Sequence, residues 1–170
     1  MNSETTKKLS ILLLCLFFFA CQNNPKVITR EGEPDIARIE GDDSEMNNAI
    51  EKANQTFSQF DDALNSNDTS LIALAIKMRF NTPEGNGEHI WLTDITKKGD
   101  QFYGVIGNEP NSTTEVKLGD TILISNAKIS DWMYIQNGKL KGGYTIRVLR
   151  DQLSEEEKKA FDEQNGFTVE

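Results

Sequence analysis

The sequence predicts an α+β fold: an N-terminal amphipathic helix packed on a curved antiparallel sheet of five or six strands, with helices at the C-terminal end. Three observations carry this. Over residues 45–65 apolar side chains recur at steps of three or four. From residue 71 the apolar period shifts to two, the period of half-buried strands. Near the end, Ser154 is followed three residues later by Glu157, the pattern of a capping box that opens a helix.

Residues 1–20 read as a lipoprotein signal peptide. Lys7 and Lys8 supply a positive start, and the ten apolar residues 11–20 match an h-region while falling short of the ~18 that span a membrane. Ala20 directly before Cys21, at the end of that run, resembles the bacterial lipobox, with Phe18 where Leu is usual and a bulky Phe19. The resemblance implies a diacylglyceryl group on the Cys21 thiol, cleavage before Cys21 and acylation of the new amine. Two or more chains hold a protein at a membrane where one does not. Gln22 stands where an Asp would signal inner-membrane retention, so an outer-membrane lipoprotein of the cell envelope, facing the periplasm, is expected. Cys15 then leaves with the signal and Cys21 is taken up by lipid, which excludes thiol chemistry in the mature chain.

Residues 21–40 are polar and carry Pro25, Gly32 and Pro34; they read as a tether that becomes ordered near Ile36–Ile39 as an edge strand. Residues 41–170 read as a single domain, a length that fits one core. Its first helix, capped by Ser44, presents Met46, Ala49, Ile50, Ala53, Phe57, Phe60 and Leu64 on one face and ends at Asn65-Ser66-Asn67-Asp68. Strands follow at 72–80, 89–95, 102–106 and 121–125, separated by Gly85-Asn86-Gly87, Lys98-Gly99-Asp100 and Gly119-Asp120. Asn137-Gly138 after a strand at 132–135 is a two-residue hairpin signal. Residues 144–150 alternate but also fit a short helix, which is the reading preferred here. The last helix runs over about 155–164 and stops near Gly166.

Charge and composition exclude several functions. Eighteen Lys and Arg against 27 Asp and Glu give −9, a surface that repels phosphate backbones, so no nucleic-acid partner is expected. One His and two Cys exclude the HExxH and thiolate types of zinc site, and no metal or cofactor is expected. No nucleophile elbow or kinase set is present.

Four stretches can carry chemistry. In Glu88-His89-Ile90-Trp91 a strand places His89 and Trp91 on one face and Glu88 and Ile90 on the other. His89 is then an acid or base, a polar anchor, or a core histidine beside a core Trp. In Gly107-Asn108-Glu109-Pro110 the proline ends a strand and presents Asn108 and Glu109, for binding or simply for the turn. Asp131, beside Trp132, is a carboxylate of raised pKa, the cap of a turn, or a partner for Arg147. Gly142-Gly143-Tyr144, before a helix start, can leave N–H groups for an anion with Arg147 nearby.

Taken in order, Ile39-Glu40, Asp43, Met46, Ala49 and Ala53, then Glu88-His89-Ile90-Trp91, Gly104 to Pro110, Lys117-x-Gly119-Asp120, Ile129 to Met133 and Gly142-Gly143-Tyr144-Thr145-x-Arg147 resemble the domain-of-unknown-function 2314 (YegJ-like) family over residues 27–153. The resemblance implies a single-domain envelope protein and carries over no activity and no catalytic residue. The expected function is a non-enzymatic binding module held to the membrane by its lipid, with a protein or small-molecule partner. One alternative is a hydrolase-like enzyme using His89, Glu109 and Asp131. The other is an immunity-type protein whose acidity suits a basic toxin.

Overall fold

A computed structural model describes the backbone of residues 27–30 and 33–37 and the chain at 44–66 and 68–169. The signal at 1–20, the lipid attachment at Cys21 and most of the tether lie outside the described residues. Within the tether stretch, β1 (Val27–Arg30) and β2 (Glu33–Ala37) pair antiparallel in a sheet of their own. The edge strand expected near Ile36–Ile39 therefore falls on β2, which pairs with β1 and does not join the main sheet.

The main sheet is built from β3 (Leu71–Asn81), β4 (Gly87–Lys98), β5 (Gln101–Ile106), β6 (Thr121–Leu123), β7 (Ile129–Gln136) and β8 (Lys139–Gly142). Its order is β6-β5-β4-β3-β7-β8, all antiparallel, with β3 and β4 at the centre. Three irregularities interrupt the pairing of the main sheet, one of them in β3–β7 between Lys77 and Met78. The β3–β7 register shifts between Ile72 and Ala75, where Ala73 has φ 54°, and the β4–β5 register shifts between Thr93 and Thr96, where Asp94 has φ 49°. Such left-handed residues cost about 1 kcal/mol or more each, and bulges bend and twist a strand in return.

The expected first helix is two. α1 (Ser44–Gln55) and α2 (Phe57–Leu64) meet at Thr56. Thr56 Oγ1 donates to the Lys52 carbonyl at 2.7 Å, the back-bonding by which a threonine hydroxyl interrupts a helix ladder. The same hydroxyl lies 3.0 Å from Tyr144 OH. The break turns Phe57 and Phe60 onto the sheet. Phe57 meets Phe102 edge-on at 5.4 Å, and Phe60 lies 6.2 Å from Trp132. Lys97 on β4 reaches Asp61 on α2 at 2.6 Å and closes the rim of this layer.

One sheet face is thus a core of Ile76, Met78 and Phe80, of Ile90 and Leu92, and of Phe102, Ile106 and Trp132, all buried under α1, α2 and the chain around Val116. Among the described residues, the opposite face is covered at its β7–β8 end. There α3 (Tyr144–Asp151) and α4 (Glu155–Asn165) bring Ile146, Phe161 and Phe167 onto Ile135 and Leu140. Ser154 and Glu157 form the capping box at the start of α4, and Arg150 holds Asp162 through two bonds of 2.7 and 2.8 Å that tie α3 to α4. The tight step from β8 into α3 needs both glycines. Gly142 and Gly143 have φ of 66° and 59°, and a Cβ on Gly142 would run into the Trp132 carbonyl and ring. None of the described helices is long and apolar enough to cross a membrane.

Candidate functional site

The sequence of β3 around its centre reads Ile76-Lys77-Met78-Arg79-Phe80. Period two sends the three apolar residues into the core and both cations to the other face. Register then fixes their neighbours. Lys77 lies opposite Trp91 on β4 and opposite Asp131 on β7, and Arg79 lies opposite His89. Four side chains, Lys77, Arg79, His89 and Trp91, therefore stand together on the incompletely covered face.

Lys77 is buried among them. Its ammonium donates to Thr145 Oγ1 at 3.0 Å and lies 4.9 Å from the centre of the Trp91 ring. Thr145 passes the link on, because its hydroxyl donates to Asp131 Oδ2 at 2.6 Å. Burial pushes the Lys77 amine down in pKa, and Asp131 opposes this. Burial pushes the Asp131 carboxyl up, opposed by Lys77 and by the bonds from Thr145 and Trp132. Asp131 is saturated: Oδ1 accepts from the backbone N–H of Trp132 and Tyr144, and Oδ2 from the N–H and hydroxyl of Thr145. It caps the start of α3, so the anion expected at Gly142-Gly143-Tyr144 is the chain's own carboxylate. Arg147 is not its partner. The guanidinium donates instead to the carbonyls of Gly142 and Leu140 at 3.0 and 2.9 Å.

His89 is half-buried, and its pKa is lowered to about 4 by burial and by the nearby charges of Lys77 and Arg79. The imidazole is neutral in the fold at pH 7, while an unfolded histidine titrates near 6.5. Between those two values the unfolded chain binds more protons, so this contribution is present above about pH 6.5 and is lost as pH falls through about 4. The loss amounts to at most about 3 kcal/mol. Urea midpoints followed from pH 7 to pH 4 should therefore fall less steeply in His89→Gln than in the wild type. Parallel curves would refute the placement of His89.

Glu88 points the other way, into the core side, as the alternation requires. Its carboxylate accepts from the backbone N–H groups of Asn111, Ser112 and Thr113 at 2.7, 2.8 and 2.7 Å. Asn108 Oδ1 accepts from Trp91 N at 3.3 Å and Gly107 N donates to Trp91 O at 2.9 Å, so both extend the β4–β5 ladder by one step. Glu88 and Asn108 thus organise the 107–120 loop, and Glu109 is exposed in it. Replacing Glu88 by Gln turns an amide donor towards N–H groups. That should cost about 2–3 kcal/mol and speed amide exchange at Asn111 to Thr113 before elsewhere. Unchanged exchange there would count against the clamp.

Trp132 is 1% exposed, and Tyr144 packs edge-on against it at 5.9 Å. The candidates are therefore dispersed. His89 and Trp91 share a face with Asp131, yet two strand spacings and two residues put the His89 and Asp131 backbones roughly 12 Å apart. Depressions of about 370 Å³, at Asp62, Asp68 and Gln136, and about 270 Å³, at Gly138, Asp162 and Phe167, contain none of them. Among the described residues no three or more His, Cys, Asp or Glu gather as a metal site. Lys77 and Arg79 are not among the residues the sequence puts forward, and Thr145 enters there only within the Gly142 to Arg147 motif. The signal for the first two was present in two cations alternating with core residues of one strand.

An α+β domain with a half-covered antiparallel sheet, bearing buried Lys77 and half-buried His89 and Trp91 on that face, is the class the geometry defines. The chain belongs to the DUF2314 family, described as "Uncharacterized protein conserved in bacteria", whose sequence pattern matches residues 43–169. It is 34% identical over 148 residues to the uncharacterized protein YegJ of Escherichia coli strain K12, covering 86% of this chain and 91% of that protein. It is also 35% identical over 138 residues to a protein of Neisseria meningitidis serogroup B named "Putative ankyrin repeat protein", covering 77% of this chain. That match spans 54%, about half, of the Neisseria protein. No solved structure matches the chain.

Proposed function

We propose that the protein is a non-enzymatic binding module carried in the bacterial envelope by lipid on Cys21, and that it binds through the uncovered part of its sheet. One observation carries the binding reading. On β4, β5 and β6 one face is buried, while the other presents His89, Trp91, Tyr103 and Val105 half-exposed, with Thr93, Thr121 and Leu123 exposed beside them. Leu123 is 49% exposed, unusual for a large apolar side chain on a strand. Aromatic side chains on a rigid sheet are the material of recognition surfaces, because they bring large area at little cost in conformational freedom. A hydrolase using His89, Glu109 and Asp131 finds less support. Asp131 has four donors and no free role, and His89 stands too far from it to share a proton.

The attachment half of the proposal rests on the residues before and at Cys21. Metabolic labelling with an alkynyl fatty acid should mark the wild type and leave Cys21→Ser unlabelled and larger by its uncleaved signal. Equal labelling of the two would refute it. For the binding half, a photo-crosslinking amino acid placed at Thr93 should give discrete adducts in cells, whereas the same group at exposed Glu156 on α4 should not. Equal adducts at both positions would refute the assignment of this face.

A further inference from the structure

The four side chains grouped on this face share one feature: among the described residues they hold more donors than acceptors to meet them. Among the described residues the Lys77 ammonium has one acceptor, Thr145 Oγ1, for its three N–H groups. Arg79 donates to Asn81 Oδ1 at 3.1 Å through one nitrogen, and its other donors meet no protein acceptor among the described residues. Gly87 leaves the room in which this guanidinium lies, since a side chain there would collide with it. Neither ring nitrogen of His89 nor the Trp91 indole N–H is bonded to a described residue. These groups nevertheless stand on adjacent strands at opposed or next-opposed positions, the closest spacing a sheet offers.

Two cations side by side favour a negative group between them, and Asp131 offsets Lys77 in part, from the side away from Arg79. The nearby carboxylates are engaged elsewhere. Asp131 faces Lys77 only through Thr145 and is saturated by four donors. Glu115 accepts from Asn81 at 2.9 Å and lies 3.7 Å from Lys128.

We propose that Lys77, Arg79, His89 and Trp91 form a binding site for an oxyanion, the carboxylate or phosphate group of a small solute. The Lys77 and Arg79 cations supply charge and the fork of donors, the indole N–H and the imidazole complete the ring of contacts, and the Trp91 face covers the apolar part of the solute. The proposal deepens the reading of this face as a binding surface and rests on it.

The chain has one histidine, so His89 is its own reporter. The full-length protein in detergent, followed by NMR of the imidazole C–H groups, is titrated with inorganic phosphate, with acetate, and with chloride at matched ionic strength. Phosphate or acetate should move the His89 resonances saturably, chloride should not, and the imidazole pKa should rise from about 4 towards its ordinary range as the anion offsets the two cations. A response to phosphate alone or to acetate alone identifies the group; a response to both identifies a general oxyanion site. Arg79→Gln, at an exposed position that leaves the core intact, should weaken the response about tenfold. Lys77→Met should abolish it, with circular dichroism reporting whether the fold survives. If phosphate and acetate move His89 no more than chloride does, or if Arg79→Gln binds as tightly as wild type, the site does not exist. A saturable His89 response without adducts at Thr93 would refute the partner reading and keep the anion site; adducts without a response would refute the anion site alone.

Discussion

Trp132→Ala lowers the stability of the protein by about 3–5 kcal/mol, the cost of emptying a fully packed aromatic site. Trp132 is 1% exposed, stacks on Tyr134 at 5.9 Å, meets Tyr144 edge-on at 5.9 Å and leans on Phe60 at 6.2 Å. Its indole N–H donates to the Ala53 carbonyl at 3.0 Å, one of the last-turn carbonyls of α1 that the helix cannot satisfy itself. One side chain thus joins the central sheet, α1, α2 and α3. For a chain of this size, a loss of about 3 kcal/mol lowers Tm by roughly 6–12 °C. Trp132→Phe keeps most of the packing and loses the hydrogen bond, so it should cost about half as much. The same residue in a partner-facing role would behave in the opposite way, with binding lost and Tm kept. Thermal scans of the two variants separate these outcomes, and a Trp132→Ala protein that melts with the wild type would refute the core assignment.

Asp131→Asn carries a similar cost, about 3–5 kcal/mol, for a different reason. The carboxylate accepts four bonds and is the only acidic group linked to buried Lys77 through Thr145 among the described residues. An amide keeps one acceptor oxygen and turns an NH₂ towards donors, and it leaves the Lys77 charge buried without its compensation. The start of α3 then loses its cap, and with it the Arg150–Asp162 link to α4 loses its footing. Urea unfolding should show a lower midpoint in the single variant, and Asp131→Asn combined with Lys77→Met should recover part of the loss, because the second change removes the stranded charge. Additive costs in the double variant would show that Lys77 and Asp131 are not coupled.

Local rules made much of this fold legible in the sequence. The positions of the strands and the Asn137-Gly138 hairpin follow from period two and from residues that accept φ above zero. The α4 capping box is a contact over three residues and needs no tertiary context. The split of Glu88 and Ile90 from His89 and Trp91 also follows from alternation alone. The break at Thr56 was not legible. A continuous apolar stripe over residues 45–65 fits one helix, and the hydroxyl that interrupts it is held by Tyr144, which is distant in sequence.

The candidate site divides along the same line. Sequence by itself determined which residue types are present and which face of its own strand each one takes, because those depend on periods of two and 3.6 within a single segment. Which strands lie side by side was decided only by the tertiary structure, because register depends on bulges, turns and packing summed over the sheet. That is why Asp131 stood out as a lone carboxylate with three possible roles, and became a helix cap only when Thr145 and Tyr144 were brought to it. It is also why Lys77 and Arg79, ordinary cations in a strand, became the charged half of a site only when β4 set Trp91 and His89 opposite them.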